Sequence, residues 1–115
     1  MVQLAAAVQE RSAGRAVIIA GDLNLHYLSD KDAHDTDTGV FESFWRTTGT
    51  EDVCLHLDCP EIGLIDRVAF RSGSDVILEA LEWRNDDERF VDAAGEPLSD
   101  HAPIAVRFRA SLLAP

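Results

Sequence analysis

Lysine, long apolar runs and cysteine are all scarce in this chain. Lys31 is the single lysine, and 10 basic residues stand against 21 acidic ones among 115, so the formal net charge is −11. Proteins bind nucleic acid largely through basic side chains that neutralise phosphates, so long nucleic acid is not an expected partner without help. Short apolar stretches such as Ala16–Ala20 fall far below the ~18–20 residues that cross a bilayer, so no membrane span is predicted.

The two cysteines, Cys54 and Cys59, lie in the segment Cys-Leu-His-Leu-Asp-Cys and leave three interpretations open. They form a zinc site with His56 and Asp58, a local disulfide, or two reduced thiols. The N-terminal residues show no basic leader before their short apolar patch, so no signal peptide is predicted. The localisation is therefore unknown, and a secreted protein is compatible with a Cys54–Cys59 bridge.

The length suits one domain of ordinary size, and a hydrophobic fraction of 46% is enough to form a packed core. Apolar residues at helical spacing predict helices, and β-branched or alternating runs predict strands. We expect helices near residues 2–13 and 38–48, and strands near residues 16–21, 65–71, 75–84 and 103–110.

Four aspartates follow one another in the polar segment between the first strand and the second helix: Asp30, Asp32, Asp35 and Asp37. An EF-hand calcium loop does not fit their spacing. Counted from Asp30, the required glycine position holds Asp35; counted from Asp35, the position of the bidentate glutamate holds Arg46. The segment is therefore predicted to be a solvated loop.

Three short motifs lie at the ends of predicted strands. They are Gly21-Asp22-Leu23-Asn24, Ile65-Asp66-Arg67 and Ser99-Asp100-His101-Ala102-Pro103. Each motif has a local alternative, in which the carboxylates serve turns or nearby backbone amides and the histidine lies in a polar loop. Strand ends of one sheet converge, however, so their polar side chains are predicted to meet at one rim: Asp22, Asn24, Asp66, Asp100 and His101.

Such a group of side chains has a definite chemistry. Carboxylate and amide oxygens are preferred ligands of hard divalent cations, and an imidazole beside them can act as a general base or acid. A cation held there would neutralise phosphoryl oxygens, while the other groups prepare a water molecule for attack. The residues therefore predict metal-dependent hydrolysis of a phosphate ester.

These motifs resemble the three C-terminal signatures of the endonuclease/exonuclease/phosphatase family, which includes deoxyribonucleases and neutral sphingomyelinases. The resemblance rests on the order of Ala20–Asn24, Ile65–Val68 and Leu98–Pro103 and on their placement at strand ends. It implies an α/β (α+β) fold: half of a four-layer sandwich, with one mixed, largely antiparallel sheet and helices on one face. It also implies Mg²⁺ as the cofactor, with Mn²⁺ or Ca²⁺ as alternatives.

The resemblance also implies a role for each site residue. His101 would contact the scissile phosphate as acid and base, and Asp66 would orient it by accepting its ring N–H, which raises the histidine pKa. Asp22 would position or deprotonate the attacking water. Asn24 would hold that water and a phosphoryl oxygen, and Asp100, Asp22 and Asn24 would lie at the metal.

The resemblance covers only the second half of the family domain. The first half, with the glutamate that is the principal metal ligand, has no counterpart here, so residues 1–115 are interpreted as a C-terminal half-domain. The alternative is a non-catalytic binding or assembly module. We expect one apolar sheet face without helices to be uncovered, and to bind the absent half or a second copy of the chain.

Overall fold

A three-stranded antiparallel sheet lies between a helical layer and a two-stranded ribbon in the computed structural model, which describes residues 1–31 and 36–114. The strands, in the order β1-β3-β2 for the sheet and β4-β5 for the ribbon, are β1 (Val17–Asp22), β2 (Glu51–Asp52), β3 (Asp66–Arg71), β4 (Val76–Asn85) and β5 (Ile104–Leu112). The helices are α1 (Val2–Arg11), α2 (Thr36–Thr48) and the single turn α3 (Val53–His56). The mixture of helices and antiparallel strands confirms the α+β class.

The strands form two sheets, where a single sheet was expected. The reason lies in the turn between β3 and β4. Gly73 approaches the backbone of the turn after α1 so closely that a Cβ on it would lie 2.3 Å from the amide nitrogen of Ala16, and the Ser74 amide donates to the Gly14 carbonyl at 2.8 Å. This docking directs β4 away from β3 instead of back along it, and β4 pairs with β5.

The predicted elements match the observed ones to within two residues at each end, and three short elements were missed: β2, α3 and the 3₁₀ turn Asp87–Arg89. β2 has only two residues, and α3 is one turn with Asp52 as its N-cap, whose carboxylate accepts the Leu55 amide at 3.1 Å. Of the loop predicted over Asp30, Asp32, Asp35 and Asp37, residues 32–35 lie outside the described residues, and Asp37 lies in the first turn of α2 instead of in a loop. No helix in the described ranges is long and apolar enough to cross a membrane.

The helical layer is fastened to the sheet at the end of β3. The Arg71 guanidinium donates to the carbonyl oxygens of Ser12, after α1, and of Thr48, the last residue of α2. Cations at helix C-termini are favourable because unpaired carbonyls collect there. Phe41 and Phe44 of α2 are buried, as their helical spacing predicted.

The sheet face opposite the helices is covered over β3 and open over β1. Phe70 is 4% exposed and packs on Phe108 of the ribbon, with ring centroids 5.4 Å apart. The expectation of an uncovered face is wrong there, because the ribbon folds onto it. Ile18, directly opposite Phe70 in the register, is 49% exposed.

The chain exposes more surface than a compact domain of its size. Its accessible area is 7490 Å², against roughly 6200 Å² for a folded monomer of this mass. Its radius of gyration is 15.6 Å, against about 13 Å for a compact chain of this length. The excess agrees with the open face over β1.

A disulfide joins Cys54 of α3 to Cys59, so neither the zinc site with His56 and Asp58 nor the pair of reduced thiols describes this structure. The bond closes a loop with a sequence separation of 5. The Cys59 amide also donates to the Cys54 carbonyl at 2.8 Å, so the loop is closed by the backbone as well.

Replacing both cysteines by alanine is expected to lower the free energy of unfolding by about 2 kcal/mol, the chain-entropy value for so short a loop. Urea denaturation of the two proteins measures the difference. A reductant should lower the stability of the unsubstituted chain by a similar amount and leave the Cys54→Ala/Cys59→Ala chain unchanged. Equal stability of oxidised and substituted chains would contradict the prediction.

Candidate functional site

Two carboxylates face each other where β1 ends and β3 begins. The antiparallel register pairs Asp22 with Asp66, and the pairing continues one step further, where the Leu23 amide donates to the Ile65 carbonyl at 3.0 Å. Directly opposed residues lie on the same face of a sheet, and like charges there repel. The pair therefore favours a cationic group between the two carboxylates.

His101 supplies such a group. Its Nδ1 lies 2.9 Å from Oδ2 and 3.2 Å from Oδ1 of Asp66, and its Nε2 lies 3.7 Å from Oδ2 of Asp22. The predicted Asp66–His101 contact is therefore confirmed as geometry. The local alternative for Asp66, bonds to nearby backbone amides, is not needed to account for its position.

Asp22 serves a local turn and the site at the same time. Its Oδ1 accepts the Asn24 backbone amide at 2.8 Å, which is the Asx-turn predicted as the alternative, while its Oδ2 faces His101. Asn24 has a φ of 51°, a left-handed conformation that asparagine tolerates better than most residues. The turn fixes the carboxylate without removing it from the site.

The loop that carries His101 is held by hydrogen bonds of its backbone groups to a side chain within the loop and to the chain before it. The Ser99 hydroxyl accepts the His101 amide at 3.1 Å, and the Asp86 amide donates to the Pro103 carbonyl at 2.8 Å. Further back, the Leu98 amide donates to the Phe90 carbonyl at 3.1 Å. These bonds bring the histidine from the start of β5 to the ends of β1 and β3.

The surroundings of His101 raise its pKa, in the predicted direction. The hydrogen bond to Asp66 is the main cause, followed by the charge of the same carboxylate. The charges of Asp22 and Asp100 add smaller increments, and partial loss of solvent opposes them. The site is open, with His101 and Asp22 side chains 41% and 43% exposed and that of Asp66 22% exposed.

Three of the five predicted site residues converge. One ligand atom each from Asp22, Asp66 and His101 lie within 4.8 Å of one another, a group that could hold a metal ion. The donor set fits a divalent cation, since it offers two carboxylates and an imidazole nitrogen, but it does not select one metal. Asp100 is exposed and lines a neighbouring open cavity with His101, and Asn24 contributes its backbone amide to the turn.

A buried ion pair beside the site was missed by the sequence analysis. Arg67 follows Asp66 and points to the opposite face of β3, where it binds Asp52 through two hydrogen bonds of 2.7 and 2.8 Å. The sequence held a signal for this pair, because Arg67 and Ala69 lie two positions apart and therefore share the strand face that packs under the helices. A charged residue at such a position requires a partner.

Three curated proteins named Sphingomyelinase are similar to this chain: one from Mycobacterium bovis (strain ATCC BAA-935 / AF2122/97) and two from Mycobacterium tuberculosis, strains CDC 1551 / Oshkosh and ATCC 25618 / H37Rv. Each is 34% identical over 122 residues, an alignment that covers 94% of this chain and 24% of the relative. The chain therefore spans about a quarter of the length of these relatives. No family model and no solved structure matches.

The Asp66→Asn substitution should lower the pKa of His101 toward its ordinary value, because it keeps the shape of the side chain and removes its charge. A raised folded-state pKa means that the contact adds stability below about pH 6.5 and that this contribution is lost as the pH rises through the folded pKa. Titration of the His101 ring signals by NMR measures the change. Glu88→Gln is the control, an acid that lines the cavity beside His101; an equal shift in both variants would refute a specific pair.

Proposed function

We propose that this chain carries the catalytic histidine–carboxylate pair of a metal-dependent phosphodiesterase. The observation that supports this most is the His101 ring between two carboxylates, where β1 ends and β3 begins, with Nδ1 on Asp66 and Nε2 toward Asp22. A cation held beside this pair, by Asp22 with Asp100 and Asn24, would neutralise phosphoryl oxygens and so lower the barrier to attack by water.

His101 is the general acid and base in this proposal. Asp66 accepts the Nδ1–H, which fixes the tautomer and stabilises the imidazolium, so that Nε2 is left to face a phosphoryl oxygen. Asp22 lies on the Nε2 side and positions or deprotonates the water. Its exposure leaves room for that water, because 43% of its side chain is accessible.

Asn24 and Asp100 have supporting roles in the proposal. The Asx-turn holds Asn24 two residues beyond Asp22 through the Asn24 backbone amide. The side-chain amide of Asn24 would then bind the water and a phosphoryl oxygen. Asp100 precedes His101, and its charge contributes to raising the histidine pKa. Asp100 would lie near Mg²⁺, or near Mn²⁺ or Ca²⁺ in its place, although it is outside the group formed by Asp22, Asp66 and His101.

A phosphodiester in a lipid headgroup is the first substrate class to test. The three relatives are named for the hydrolysis of sphingomyelin, and the net charge of −11 disfavours long nucleic acid. The proposal places the chain in the endonuclease/exonuclease/phosphatase family, on the basis of its three motifs and of the geometry of the site that they form.

Residues 1–115 are the C-terminal half of the catalytic domain in this proposal. The relatives are about four times as long, and the chain has more exposed surface than a compact monomer of its mass. The open part of the sheet beside Ile18 is where the other half would pack. That half would also supply the remaining metal ligands.

The test uses the natural chain that contains this segment, extended upstream. We expect hydrolysis of sphingomyelin vesicles or of a chromogenic phosphodiester that is lost with EDTA and restored by Mg²⁺. His101→Ala should lower kcat by roughly 10²–10⁴-fold, the range for loss of a general acid or base. His56→Ala is the matched control, because that exposed histidine contacts Glu51 and Phe70 instead of the site.

Two results would reject the proposal. Hydrolysis that His56→Ala and His101→Ala reduce equally would place the chemistry elsewhere. A folded, extended chain with no metal-dependent hydrolysis of any phosphodiester tested would favour a binding or assembly module.

A further inference from the structure

The Arg67–Asp52 pair is among the most buried charged groups in the described residues. The two side chains are 3% and 1% exposed, and Nε and Nη2 of Arg67 bind one carboxylate oxygen each. Such a pair is costly to desolvate, and apolar residues in its place are often equally stable. The presence of a buried ion pair is therefore weak evidence that the pair stabilises the fold. The other contacts of the guanidinium indicate a different role.

The remaining nitrogen of the guanidinium binds the chain just before the site. Nη1 donates to the carbonyl oxygens of Ile62 and Leu64, the latter at 3.2 Å. Leu64 precedes Asp66 by two residues, and Ile65 lies between them and accepts the Leu23 amide from the β1 side. The path of the backbone into Asp66 is thus set by bonds on both sides of it.

Aromatic rings fix the guanidinium itself. Its central carbon lies 5.4, 5.5 and 6.0 Å from the ring centroids of Tyr27, Phe41 and Trp45. Tyr27 and Phe41 are buried. The guanidinium fork of Arg67 therefore has one orientation, which is held by α2 and by the segment that precedes α2. The carbonyl oxygens that the guanidinium binds are thereby fixed in position relative to that helix and segment.

We propose that Arg67 is a positioning residue for the Asp66–His101 pair. Through Asp52 and the carbonyls of Ile62 and Leu64, it fixes the backbone that carries Asp66, and hence the distance from that carboxylate to Nδ1 of His101. The inference rests on the proposed function for its effect on catalysis, and on the structure alone for its effect on the histidine. Lysine cannot replace the arginine, because a point cation cannot bind the carboxylate and two carbonyls in a fixed plane.

Two variants separate positioning from stability. Arg67→Lys keeps the charge beside Asp52 and removes the fork. Arg67→Met with Asp52→Ser removes both charges together, while serine retains an N-cap for α3 and methionine fills the space among the rings. The control is Glu79→Leu with Arg109→Met, which removes an exposed ion pair on the ribbon.

The first readout is taken on the 115-residue chain. We expect both Arg67 variants to unfold cooperatively, with His101 ring signals in the NMR spectrum that move from their positions in the unsubstituted chain. The control pair should leave these signals unchanged. Unaltered His101 signals in a folded Arg67 variant would overturn the proposal, and so would failure of both variants to fold, since the pair would then act on stability alone.

The second readout is taken on the extended enzyme. A misplaced Asp66 should lower kcat by about 10²-fold with a smaller change in KM, since displacements near 1 Å have effects of this size. Wild-type kcat in an Arg67 variant would overturn the catalytic part of the inference. If the unsubstituted enzyme has no hydrolytic activity but the His101 signals respond to Arg67, the proposed function fails and the positioning role remains.

Discussion

The antiparallel pairing of β1 with β3 is the constraint on which the rest of the structure depends. Its register places Asp22 opposite Asp66 and Ile18 opposite Phe70. A slip of one residue would turn every side chain of β1 to the other face, separating the two carboxylates and removing Ile18 from the face it shares with Phe70. The same hydrogen-bonded ladder therefore sets the packing of the sheet and the geometry of the candidate site.

The two faces of β3 have different tasks at its first two residues. Asp66 is partly exposed and meets the histidine, whereas Arg67 is buried and meets Asp52 and the rings beneath α2. Alternation along a strand makes this division possible within a single peptide unit. A reactive carboxylate can thus remain accessible to solvent while its backbone is held by buried bonds.

Much of this arrangement could be predicted from the residues. The β-branched run before Asp22 and the alternating run after Asp66 predicted β1 and β3, and the polar residues at their ends predicted the meeting with His101. The two-sheet arrangement could not be predicted, because it depends on the close approach of Gly73 to the backbone at Ala16, a contact between distant turns. The burial of Arg67 on its strand face could have been predicted, but its partner could not, since Asp52 lies 15 positions away in a strand of only two residues.

The position of β1 in the strand order has a consequence for handling the chain. β1 is an edge strand, so one side of its backbone has no strand neighbour in the described part of the sheet. Such an edge is a template for the addition of another strand, and exposed apolar side chains such as Ile18 strengthen the attraction. We therefore expect the chain to aggregate by edge-to-edge pairing more readily than a domain whose edges are covered, and a charged residue placed at Ile18 is the simplest protection.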